Sequence, residues 1–281
     1  MIGSLLNTTF RKVIVVAVVL VQILHLFLSG DMSFHVYSMV SAVPYCLSIP
    51  LLLFILAEYE VNTSMYIAWF LMLISALFGG LRHLIETFQI NGFHVGSMSA
   101  IDISVIAVVL SLTTLTISLV MMLHVFRKIG VRAPLRLSDK LLLVLTSALF
   151  VACFMWTGAF PHHDSPFWLI RHLEYLNPIL IAAGAFIGLK LYRFSQLNGA
   201  NAWSLSLYCL VVELLVRFLA FMVLVFGGWT GLYYRYFELP QRVLFYYVPW
   251  FFLLAVVARW DVIANAKRYA SVEPREHQYV A

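Results

Sequence analysis

The chain has 281 residues, of which 63% are hydrophobic and 11% charged, with a mean hydropathy of +0.93. Soluble domains carry about a quarter charged residues, so this composition excludes a water-soluble globule and leaves lipid as the solvent. The net charge of +5 is scattered over short polar connections and is not interleaved with aromatics, which argues against a nucleic-acid partner and for topology and contact with membrane lipids.

A hydrocarbon-spanning helix needs roughly 20 apolar residues, and apolar runs fill almost the whole chain. The expected fold is therefore all-α: a polytopic transmembrane helical bundle of about eight spans, forming one domain over residues 1–281. The first predicted span, 12–29, follows Arg11 and Lys12 and precedes Ser29-Gly30-Asp31, a weak cleavage site. It reads as an uncleaved signal-anchor; without it the count is seven.

Spans are next predicted over 35–57, 65–90 and 100–126. The third carries Arg82, His83 and Glu86. The fourth carries Ser111, Thr113, Thr114, Thr116 and Ser118, a hydroxyl-rich face that suits close helix packing. The strongly basic connection that follows, with Arg127, Lys128, Arg132, Arg136 and Lys140, is assigned to the cytoplasm by the positive-inside rule. Later spans are predicted over 138–159, 166–192, 203–227 and 241–263, followed by a tail over 264–281. Counting from the basic connection places both termini in the cytoplasm, together with Lys190, Arg193, Lys267, Arg268 and Arg275. The 58–64 connection holds Glu58 and Glu60 but no basic residue, and Arg235 is a lone cation on the outside.

Cys46, Cys153 and Cys209 all lie in apolar runs, and none has a partner at metal-knuckle spacing. The motifs of zinc proteases, nucleophile-elbow hydrolases, P-loop NTPases and histidine kinases are missing from the sequence. The predicted last span has no lysine for a retinal Schiff base. The balance leans away from an enzyme.

An ionisable side chain at the centre of a spanning helix costs about 2.5–3.5 kcal/mol on insertion scales, so each one needs a partner or a function. In the predicted topology His25, His35, His83, Glu86, His94, Asp102, His162, His163, Asp164, His172 and Glu174 all fall in or beyond the outer third of the bilayer. Only His124 and His277 lie on the other side. His83 and Glu86 share a helix face, as do Arg171 and Glu174, with His172 a quarter-turn away. Arg82, His83, Glu86, Arg171, His172 and Glu174 are thus the candidate ligand-binding residues. Such groups hold a transition metal, relay protons or neutralise one another in salt bridges. Copper or another transition metal is one candidate cofactor. Haem is a further one, which would need two of His25, His83 and His172 facing each other at one depth. Glu213 and Arg217, four apart in the seventh span, read as an intramembrane ion pair; divided between helices they would mark a proton or substrate path.

Two short segments, Ser48-Ile49-Pro50-Leu51 and Gly79-Gly80-Leu81-Arg82-His83-Leu84, stand on consecutive spans, and the next span runs into the basic connection. In these features residues 35–126 resemble the three-helix sensor region of ethylene receptors and related bacterial membrane kinases. The resemblance implies a sensor-like helical fold in which a cysteine and a histidine of the second helix hold Cu(I), which binds ethylene. Only His83 carries over, with Gly79 in the cysteine's place. The family's acidic residue and tyrosine on its first helix fall on Met39 and Cys46, which do not match. Outside the family pattern, Cys46 is a candidate soft thiolate opposite His83, and the two form the candidate metal pair.

The expected function is a membrane sensor or receptor-like protein that binds a small ligand or metal in an outer-leaflet pocket and signals to a separate cytoplasmic partner. A transporter or a haem- or metal-binding membrane oxidoreductase is the alternative, and an assembly factor whose tail docks a partner is a third. A homo-oligomer is left open.

Overall fold

The computed structural model describes residues 30–87, 94–95, 98–128, 249–250, 252–257, 259–264 and 266–267, and isolated helical positions at 16, 20, 23, 137, 140, 141, 144, 148, 180 and 187. Three helices dominate: α1 over Gly30–Leu56, α2 over Ser64–Thr87 and α3 over Ala100–Lys128. Segments of 19, 22 and 27 residues within them, Ser38–Leu56, Ser64–Ile85 and Asp102–Lys128, are long and apolar enough to cross a membrane. Among the described residues only a short hairpin departs from the all-helical expectation: β1, His94–Val95, pairs antiparallel with β2, Met98–Ser99, just before α3. The expected seventh span lies outside the described residues.

Each helix begins where local chemistry lets it. α1 starts five residues before the expected 35. Pro44 and Pro50 stand inside α1 and each removes one backbone donor. A spanning helix tolerates such losses, and between the two prolines the Ser48 hydroxyl bonds back one turn, donating to the Pro44 carbonyl at 2.7 Å. After Leu56 the chain reverses through a turn in which Asn62 takes φ 72°, a left-handed conformation that asparagine accepts more readily than most residues. Thr63 then caps α2, its hydroxyl accepting from the Tyr66 backbone N–H at 3.1 Å. At α3, Ser99 and Asp102 form a capping box. The Ser99 backbone N–H and hydroxyl donate to Asp102 Oδ2 at 2.8 and 2.7 Å, and the Asp102 N–H donates back to Ser99 Oγ at 3.2 Å.

α2 is the middle helix and packs against both α1 and α3. Hydroxyls join α2 to α3 at two levels. Ser75 and Ser111 each donate to the other's backbone carbonyl at 2.9 Å, and Ser118 donates to the Ala68 carbonyl at 2.7 Å. The two levels are seven residues apart on both helices, descending on α2 as they ascend on α3, which is an antiparallel pair in constant register. The hydroxyl-rich face of α3 is therefore packing material, and Thr116 extends it by donating to the Leu180 carbonyl at 3.3 Å. Replacing Ser75 by Val should destabilise the α2/α3 pair by about 1 kcal/mol, since bonds of this kind in membranes average about 0.6 kcal/mol and both the Ser111 carbonyl and the contact between the two hydroxyls lose the Ser75 Oγ. A double-mutant cycle with Ser111→Val, read by unfolding in mixed detergent, should show that the two losses are coupled.

The main core cluster joins Leu52, Ile55, Trp69, Met72, Ala76, Leu115, Leu119 and Met122 with Phe252 and Val256 of the C-terminal helical segment. That segment runs parallel to α1: Phe252 lies 5.3 Å from Tyr45, Trp260 lies 6.5 Å from Phe54, and Lys267 meets Glu58. It stays helical to Lys267, beyond the expected end at 263. Two alanines, strong helix formers, precede that lysine.

Candidate functional site

The site lies at the end of the bundle where α2 stops and α3 starts. His83, one turn from the end of α2, is 2% exposed. Its imidazole stacks on the Tyr45 ring of α1, with centroids 5.9 Å apart and planes inclined by 20°. The Tyr45 ring also meets Phe252, with centroids 5.3 Å apart. The stack exists because Gly79, one turn before His83, carries no side chain. A Cβ on Gly79 would stand 2.8 Å from both Cε1 and Cζ of Tyr45, and one on Gly80 would stand 3.4 Å from the Tyr45 Cβ. The glycine pair thus leaves the space that the Tyr45 side chain fills, and one turn along the same stripe the ring meets His83. The Thr87 hydroxyl donates to the His83 carbonyl at 2.7 Å and finishes the last turn of α2.

On α1, Ser38 and Ser41, seven and four residues before Tyr45, are 0% exposed, and among the described residues neither hydroxyl has a hydrogen-bond partner. On α3, Asp102 is buried, with its Oδ2 held in the capping box. A buried imidazole with one aromatic wall can accept and donate hydrogen bonds to a small molecule while apolar surface excludes water.

Of the expected site residues, the structure places His83 at the centre and half-buries Arg82 beside it. The side chain of Glu86, and Arg171, His172, Glu174, Glu213 and Arg217 entirely, lie outside the described residues. Cys46, expected as a thiolate opposite His83, is exposed instead. Successive residues diverge by about 100° around a helix, and Tyr45 takes the inward position. The residues at hand therefore do not fit the cysteine–histidine copper pair that the resemblance implies: Gly79 brings no donor, the space beside it holds the Tyr45 ring, and Cys46 faces away. Among the described residues no three histidine, cysteine or carboxylate side chains come together as a metal site.

Tyr45 and Phe252 were not among the expected site residues. The signal for Tyr45 was the Gly79-Gly80 doublet, since glycine inside an apolar helix marks a close approach of a neighbour. The signal for the role of Asp102 was the pattern Ser99-x-x-Asp102 before an apolar run. In comparisons with known proteins, no family model, no curated protein and no solved structure matches the chain.

Proposed function

We propose that the chain is a membrane sensor of about eight spans with cytoplasmic termini, which recognises a small polar molecule at His83 in the outer half of the bilayer. The observation that carries this reading is the buried, Tyr45-stacked imidazole near the end of a spanning helix. An ionisable group in that position is costly and is by default a functional site. The two buried Ser38 and Ser41 hydroxyls support it, because an unsatisfied buried polar group costs about 1–3 kcal/mol that a bound oxygen or nitrogen would recover. The parallel packing of α1 and the C-terminal helical segment supports the span order. Helices that run the same way differ by an even number in that order, as the predicted second and eighth spans do. The partner would meet the protein at the opposite, cytoplasmic end.

Native mass spectrometry of the full-length protein, extracted with its own lipids and paired with elemental analysis, tests this reading. Wild type is expected to carry a stoichiometric adduct that His83→Ala lacks at equal expression. A wild type without any adduct, or one shared equally by the variant, would overturn it.

A further inference from the structure

The end of the bundle remote from His83 carries a second constellation, assembled from the α1–α2 turn and the C-terminal helical segment. Lys267 Nζ sits 2.6 Å from Glu58 Oε1 and 5.5 Å from the centroid of the Phe54 ring. Phe54 meets Trp260 edge-on at 6.5 Å. The Arg259 guanidinium hydrogen-bonds the Tyr59 hydroxyl and lies 5.8 Å from the centroid of that ring. An exposed ion pair by itself contributes little. Here the lysine is 57% exposed and the glutamate 22%, but both cations also rest on aromatic faces, which adds a cation–π attraction to each, and two consecutive residues of one turn hold two cations of one helix.

We infer that the α1–α2 turn is a docking surface for the chain's own C-terminal segment, and that its hold is set from the His83 end. Glu58 and Tyr59 of the turn meet Lys267 and Arg259 at this end, and Phe54, whose ring also faces Lys267, belongs to the same helix as Tyr45. The mechanical link is direct. α1 and the C-terminal segment lie side by side in parallel, touching through Tyr45 and Phe252 at one end and through Glu58 and Lys267 at the other. A displacement of Tyr45 by a molecule bound at His83 would shift Phe252, slide the C-terminal segment along α1 and pull Lys267 off Glu58. The docking stands on its own contacts; its input rests on the sensor reading.

Hydrogen exchange over residues 264–267, measured by mass spectrometry on the full-length protein in lipid nanodiscs, tests both parts. Glu58→Gln and Lys267→Glu should each speed exchange there about twofold to fivefold, and the combination of Glu58→Lys with Lys267→Glu should restore most of the protection. Exchange around Ser75 and Ser111 should stay unchanged, which separates loss of docking from loss of the fold. Single variants that exchange at the wild-type rate, or a combined variant no better than either single one, would overturn the docking. Wild type carrying a molecule at His83 holds Lys267 less tightly, so His83→Ala should slow exchange at 264–267. If it does not, while Glu58→Gln speeds it, the link between the two ends is overturned and the docking stands, whatever adduct His83 is found to carry.

Discussion

Gly79→Leu should destabilise the protein by about 3 kcal/mol, at the upper end of the range for overpacking a filled site. A Cβ at this position already reaches to 2.8 Å from two ring carbons of Tyr45, so a longer side chain has nowhere to go. The ring cannot retreat easily, because His83 lies against it and Phe252 borders it. Gly79→Ala is the sharper test. Intrinsic helix propensity favours alanine over glycine by up to about 1 kcal/mol, whereas the steric conflict predicts a net loss of about 1–2 kcal/mol. Detergent unfolding that finds Gly79→Ala as stable as wild type would mean that Tyr45 does not occupy this space. Adding Tyr45→Ala should make Gly79→Ala nearly harmless, a strongly non-additive pair of the kind expected for residues in contact.

Trp69→Ala is expected to cost about 3 kcal/mol, near the low end for loss of a large aromatic from a core. Trp69 is 1% exposed, at the heart of the cluster that joins α1, α2 and α3. In lipid the surroundings are as apolar as the core, so the loss comes mainly from dispersion contacts and from the cavity left behind. Phe70, the next residue, is 43% exposed and should cost less than about 1 kcal/mol when changed to alanine. Both variants can be compared by unfolding in the same detergent. Equal losses at the two positions would mean that the face of α2 turned toward its neighbours has been misassigned.

A reader of the sequence meets the long apolar stretches first, and these mark α1, α2 and α3 to within a few residues, because a helix that crosses hydrocarbon must satisfy its own backbone and so declares its length. The α3 hydroxyls were legible for a similar reason: Ser111 and Ser118, seven apart, can only serve a neighbour lying along one face. His83 was legible because an imidazole in such a stretch is rare and costly. Its surroundings were not. Which residue of α1 meets His83 depends on how that helix is rotated about its axis, and a turn of about 100° exchanges Tyr45 for Cys46. Along α1 the apolar residues are nearly continuous, so composition does not say which face is inward.

Lipid solvation and the reach of a helix were thus determined by the order of residues alone, since both depend on local composition and length. Only the tertiary structure decided that Tyr45 fills the space over Gly79, and that the C-terminal segment lies parallel to α1 with Lys267 against Glu58. Those pairings join residues far apart in the chain. They depend on shape, on which helix sits beside which and in what register, and an apolar sequence in an apolar solvent carries little record of that choice.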